Sequence, residues 1–158
     1  MRHAGRPYIV PSCPEVKPPK FSVARPEQSH AAGRGPILLV CDHASNFVPE
    51  DFGALGLTQD DVKNDFAWDA GAAEVTRQIS QLLDCPAILA TASRLLIDCN
   101  RDPGDWDAIV EVGEATPILG NVGLSQEERA ARTEAFHTPF HECIEAVRNE
   151  GADRLKAV

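Results

Sequence analysis

Three groups of residues in this chain have the types and spacing to do chemistry. The first is Asp42-His43 with Asn46 three places on. A neutral imidazole can take up a proton or bind a metal near neutral pH. The same residues could also form no more than a polar turn. The second is Arg94 with Asn100-Arg101, flanked by Asp98 and Asp102. A guanidinium can grip a carboxylate through two parallel hydrogen bonds. An internal Arg–Asp pair is the alternative use of these residues. The third is His137-x-x-x-His141. Two His four apart on a helix can share a metal ion. Pro139 lies between them, so they also read as two surface residues.

These groups need elements to hold them. Ile37-Leu38-Leu39-Val40 is a short apolar run after Gly35-Pro36, and it predicts a buried strand. Asp42, His43 and Asn46 then stand at the strand's carboxyl end, where open α/β sheets carry their ligand sites. Thr58-Gln59-Asp60-Asp61 is a helix start, and the spacing of Val62, Phe66, Ala70, Ala73, Ile79, Leu82 and Leu83 predicts a helix from about 59 to 83. Gly71 is expected to let that helix lie close to a sheet. Asp65 and Asp69 share one helix face. Asp65 reads as solvated, and Asp69 is left open between a solvated and a functional role. Strands are expected at 87–91 and 94–99, which puts Arg94 and Asn100-Arg101 at the ends of a strand. Strand, helix, strand is the signature of an α/β domain. The irregular stretch 106–124 is long enough to suggest a functional loop. Ser125-Gln126-Glu127-Glu128 is a capping box opening a last helix, which Pro139 should kink or restart. Residues 1–35 lack periodicity and read as a mostly disordered arm, part of it able to cover the sheet edge, with His3 and His30 exposed.

The 158 residues suffice for one domain with a core, and 43% hydrophobic content is ordinary for one. The net charge of −9 argues against nucleic acid and against anionic membranes as partners. No apolar run approaches the roughly 20 residues that span a bilayer. Five widely spaced cysteines without a CxxC suggest reduced thiols and a cytoplasmic protein. A Cys41–His43 nucleophile is a poor candidate, because Asp42 beside it would raise the thiol pKa.

Taken together, CDHASNFVP, AWDAGA, SRLLIDCNR, ILGN and FHTPFH, in this order between about Pro36 and Ile144, resemble the N-formylglutamate amidohydrolase family. The resemblance implies a three-layer αβα fold like that of zinc peptidases. It also implies a zinc-dependent hydrolase that releases formate from N-formyl-L-glutamate, a step of histidine degradation. On this resemblance His43 is a zinc ligand, with Asn46 or Asp42 as further candidates. Asn46 stands where zinc-peptidase relatives carry a glutamate. Arg101, Asn100 and Arg94 would hold the substrate carboxylates, and Asp69 of the helix motif is the candidate catalytic carboxylate. The small-molecule partner would be an N-acyl amino acid.

The family pattern runs on past the motifs seen here, and a catalytic zinc needs three protein ligands. The expectation is therefore the N-terminal portion of such an enzyme, covering 36–158, with weak turnover and sub-stoichiometric zinc. An inactive relative that binds a ligand or a metal is the alternative. An exposed apolar patch around Phe136, Phe140 and Ile144 would be expected in such a portion.

Overall fold

The computed structural model describes residues 25–156. Its sheet has three short strands, β1 (Glu27–Ser29), β2 (Leu39–Cys41) and β3 (Ala87–Leu89), in the order β1-β3-β2. β2 runs parallel to β3, with Leu39 opposite Ala87, and β1 runs antiparallel to β3. The α-helices are α1 (Ala72–Leu82), α2 (Gln126–Arg132) and α3 (Thr138–Lys156). A two-stranded ribbon of β4 (Val112–Gly113) and β5 (Thr116–Pro117) stands apart from the sheet.

Side-chain alternation along β3 sorts the helices. Ala87 and Leu89 point toward Ala73 of α1, together with Cys41 of β2. Ile88 points the other way, toward Phe140, Cys143 and Val147 of α3. Helices thus cover both faces of β3, which is why it is apolar at every position. The result is a mixed α/β fold with a small sheet, and no described helix is long and apolar enough to cross a membrane.

Several expectations need correction. Residues 94–99 are a buried turn and not a third strand. Leu95, Leu96 and Ile97 are buried in a second core with Leu55, Ile109, Ile118 and Phe136. The carbonyls of Leu95 and Leu96 are met by side chains and not by a neighbouring strand: the Asn121 amide donates to Leu95 O, and Arg132 donates to Leu96 O. The helix expected over 59–83 begins only at Ala72; residues 61–63 form a separate 3-10 turn. Asn64 is extended and Gly71 is left-handed, so helical dihedrals do not run through this stretch.

Gly71 has φ +86°, and a Cβ there would meet nothing within 4 Å. Its role is a backbone conformation that L-residues avoid, not close packing. Gly71→Ala should therefore cost about 1 kcal/mol, and Gly71→Asn less, since Asn tolerates this region better. Urea unfolding midpoints of the two variants test this, and equal midpoints for wild type and Gly71→Ala would refute it.

The arm reading fails for residues 25–35. β1 pairs along β3, and Glu27 makes a two-pronged ion pair with Arg77, both bonds 2.7 Å. The expectation that part of the arm covers the sheet edge describes this segment. The portion of the arm over residues 1–24, including His3, lies outside the described residues. His30 is exposed but paired, at 2.7 Å from Asp84. Cys41, Cys85 and Cys99 are free and buried, whereas Cys143 is not a free thiol, so five reduced cysteines is not the pattern. Phe136 and Phe140 are buried and Ile144 is packed against the core, so the expected apolar patch is not there. Exposed apolar side chains lie instead on α1, at Val75, Ile79 and Leu82, and on Leu83 just after it.

The capping box is formed as read. The Ser125 hydroxyl accepts from Glu128 N–H, and the Glu128 carboxylate accepts from Ser125 N–H. Between α2 and α3 the chain makes a π-helical turn, Thr133–His137, in which Thr138 N–H reaches back five residues to Thr133 O. Pro139 follows directly after that turn, as the second residue of α3. The kink or restart expected at Pro139 is represented by this π-turn just before it, with helical dihedrals at Arg132 and Thr138 on either side.

Candidate functional site

The site is assembled from three loops at one end of the sheet. The parallel strands β2 and β3 both end there, the first running into Asp42-His43 and the second into the 90–98 turn. The third loop, 64–71, leads into α1. Backbone and hydroxyl hydrogen bonds stitch the three together. Asp69 N–H donates to His43 O, Ser93 N–H to Phe47 O, and the Ser93 hydroxyl to Ala67 O. Ser93 is buried and serves all three loops at once. This places His43, Asp69, Arg94 and Asp98 around one point.

His43 is buried, and both ring nitrogens are engaged. Nε2 lies 2.8 Å from Asp98 Oδ1. Nδ1 lies 3.1 Å from the Arg94 guanidinium and 3.4 Å from Asp69 Oδ2. A guanidinium can only donate and a carboxylate can only accept. The neutral imidazole therefore carries its proton on Nε2, given to Asp98, and offers its Nδ1 lone pair to Arg94. Protonation at Nδ1 would exchange that partner for Asp69. Arg94 in turn donates to Asp98 Oδ2 at 2.6 Å.

The charges follow from these contacts. Burial works against a charged His43, but its hydrogen bond to Asp98 and the negative field of that carboxylate outweigh it and raise the imidazole above its ordinary value. Burial alone would raise Asp98 too. The bonds from His43 and from Asn100 N–H, with the nearby positive charge of Arg94, hold its carboxyl at about 2. Burial pushes the Cys41 thiol up and Cys99 up to about 12, so neither supplies a thiolate at neutral pH.

An open cleft of about 340 Å³ lies beside this cluster, walled by Arg94, Asp98, Arg101, Asp107, Phe66 and Gly113. A cleft of this size suits a small molecule. The 106–124 loop supplies much of its wall, in keeping with a functional role for that stretch. Arg101 pairs with Asp107 at 3.1 Å and remains half-exposed. Phe66 can lie flat against Gly113 only because that residue has no side chain; a Cβ there would come within 2.5 Å of the ring.

The sequence-derived candidates divide. Arg94 and Arg101 line one cleft, and His43 lies just behind its wall of Arg94 and Asp98. Asp69 faces His43 from an exposed loop and not from a helix. Asp65 is exposed on the cleft rim. Asn46 is not among the lining residues; its amide donates to Val62 O at 3.0 Å and ties two loops together. Asn100 is exposed and contributes its backbone N–H to Asp98. Asp42 is half-buried and acts on His43 only as a nearby negative charge. His137 and His141 sit elsewhere, with their Nε2 atoms on the carbonyls of Arg101 and Cys99.

Sequence reasoning took Asp98 for a flanking residue, yet it is the partner of both His43 and Arg94. The signal was its i, i+4 spacing from Arg94. Arg132 and Asn121 were missed altogether. Arg132 stands three and four residues before Ala135 and Phe136, so a basic residue on the apolar face of a helix was there to be seen.

The donor set bears on zinc. His43 Nδ1 and Asp69 Oδ2 are close enough to share one cation. Asp98 on Nε2 is the kind of carboxylate that commonly orients a metal-bound imidazole. Among the described residues, however, no group of three His, Cys, Asp or Glu surrounds a common point. Arg94 also brings a positive charge to Nδ1. The described residues alone do not fit a three-ligand zinc ion.

A family model described as N-formylglutamate amidohydrolase matches residues 35–158. No curated protein matches the chain. Among solved structures, a gene product of Agrobacterium tumefaciens is similar, with 37% identity and a TM-score of 0.80 over 82% of this chain and 52% of that one. The chain thus spans about half the length of that relative.

Proposed function

This chain belongs to the N-formylglutamate amidohydrolase family, and from that we propose that its cleft binds an N-formyl amino acid such as N-formyl-L-glutamate for hydrolysis of the formyl amide. The observation that carries the proposal is the pairing of two guanidiniums, Arg94 and Arg101, in one small cleft against an Asp98–His43 dyad. Two cationic groups suit a substrate with two carboxylates.

In the reaction, water adds to the formyl carbon, the C–N bond breaks, and formate and the free amino acid leave. Arg101 and Arg94 hold the carboxylates. Asp98 fixes the tautomer of His43, so that Nδ1 is the basic atom. A carboxylate that draws the Arg94 guanidinium away from Nδ1 frees this nitrogen. It then holds the proton from water and returns it to the departing amine. General acid–base work of this kind contributes typically 10²–10⁴-fold. A zinc ion on His43 and Asp69 would need a third donor beyond the described residues, so no step is assigned to it. The family's zinc-peptidase-like three-layer αβα architecture and a role in histidine degradation belong to this proposal as well.

A second reading has its own support. The described residues offer an incomplete donor set, which suits a domain that binds the ligand without turning it over. Purified chain should be assayed for bound zinc, for N-formyl-L-glutamate binding by calorimetry, and for formate release. The hydrolase reading expects formate release that drops at least about 10²-fold in His43→Ala. It also expects a KM about tenfold higher in Arg101→Met, from loss of one charge-assisted hydrogen bond. Binding without formate favours the second reading. Absence of binding overturns both.

A further inference from the structure

The chemistry described above does not use His137 and His141, yet their surroundings are specific. His137 closes the π-turn and His141 lies in the first turn of α3. Their rings are stacked, with centroids 4.3 Å apart and planes tilted by 32°. His137 Nε2 is 3.0 Å from Arg101 O, and His141 Nε2 is 2.9 Å from Cys99 O. A carbonyl can only accept, so each Nε2 must carry a proton and donate it. Two donors four residues apart on one helix thus meet two carbonyls two residues apart in one turn.

The turn they hold is the one that matters to the cleft. It starts at Asp98, which takes Asn100 N–H on its side chain and Arg101 N–H on its backbone carbonyl. It ends at Arg101, whose side chain enters the cleft while its carbonyl is tied to α3. We propose that His137 and His141 are positioning residues that clamp the 99–101 turn to α3 and thereby set Arg101 for the substrate carboxylate. The second half of this statement rests on the substrate reading given above, while the clamp itself does not.

The alternative is ordinary packing, in which the rings fill space and the hydrogen bonds are incidental. His→Phe at either position keeps the ring and removes the donor. His→Gln removes the ring and restores an N–H at similar reach. In the full chain, amide hydrogen exchange at Asn100–Asp102 should quicken about tenfold or more in His137→Phe and His141→Phe, and recover with Gln. Nitrogen-15 shifts should show both rings as the Nε2–H tautomer. The KM or Kd for N-formyl-L-glutamate should rise about tenfold in the Phe variants and return toward wild type in the Gln variants, with kcat within about threefold throughout.

Unchanged exchange in the Phe variants overturns the clamp. Faster exchange with unchanged affinity overturns the positioning of Arg101. Should a Phe variant fail to fold, His→Asn, whose amide is too short to reach, replaces it against the same His→Gln rescue. If wild type binds no N-formyl-L-glutamate, the substrate reading fails, and the exchange data still decide whether the histidines hold the turn.

Discussion

Arg132→Ala should lower the unfolding free energy by about 3–5 kcal/mol, through three acceptors left without this donor, two of them buried, and the cavity of the lost side chain. Arg132 is buried, and its guanidinium donates to Leu96 O, to Asn121 Oδ1 at 2.7 Å and to Gly120 O at 2.8 Å. The ring of Phe52 lies under it, with its centroid 5.2 Å away. Among the described residues no carboxylate pairs with the group, so its charge is met mainly by carbonyl and amide oxygens and an aromatic face, with Glu128 acting from a distance. Burial pulls its pKa down to about 10, which leaves it charged at pH 7. Domains are stable by only about 5–15 kcal/mol, so a fall in Tm of about 10 °C is expected. Urea unfolding of wild type, Arg132→Ala and Arg132→Lys measures it. Lys restores the charge but not the planar fork of donors, and should recover less than half of the loss. A Lys variant as stable as wild type would show that charge alone matters and that the hydrogen-bonded fork does not.

The second large effect is expected at Asp98. Asp98→Asn keeps the shape but removes the negative charge that orients His43 and raises its basicity. Any formate release should fall by at least about 10²-fold. Stability should change as well, and its pH dependence gives the sign. The folded carboxyl titrates at about 2, below the ordinary aspartate value. Its contribution is therefore full above about pH 4 and is lost as the pH falls toward 2. For a shift of this size the contribution is about 2 kcal/mol. His43, raised in the fold, contributes fully below its ordinary value and loses this contribution as the pH rises through its folded value. Both limbs describe one hydrogen-bonded pair and are counted once. Wild type should lose its advantage over Asp98→Asn between pH 4 and pH 2. Parallel stability curves over that interval would sink the assignment.

The parts of the fold that were legible in sequence are those specified locally. The apolar runs at 37–40 and 87–90 mark β2 (Leu39–Cys41) and β3 (Ala87–Leu89), but β2 is an edge strand with Ile37 and Val40 exposed, and not the buried strand expected. Ser125 and Glu128 announced the start of α2 because a capping box involves only neighbours. The run 94–99 misled because burial alone does not make a strand. Its N–H groups at Leu95 and Leu96 turn back on Ser93, while the carbonyls of the same two residues are met from afar by Asn121 and Arg132, and such partners leave no local mark. The helix over 59–71 misled because apolar spacing outvoted a glycine that needs positive φ. His43, Arg94 and Arg101 could be chosen from residue type and from their place at the ends of apolar runs. The Arg94–Asp98 pair is written in its i, i+4 spacing, but the contacts of His43 with that pair depend on two separate loops meeting, and no spacing within one loop encodes that.

The π-turn between α2 and α3 has a consequence for the counting of residues. α2, the turn and α3 are one helical run with a single extra residue accommodated at Thr133–His137. Such a turn is what an insertion of one residue leaves behind in an α-helix. Deleting Glu134 would restore the ordinary phase locally, but everything after it would turn by about 100° about the helix axis. Phe140, Cys143 and Val147 would swing off Ile88, and both histidines would leave the 99–101 turn. The reading frame of this helix, counted in single residues, therefore sets which face meets the sheet and which meets the cleft. Substitutions in the turn leave that count alone, whereas a deletion of one codon rewrites it for the whole of α3.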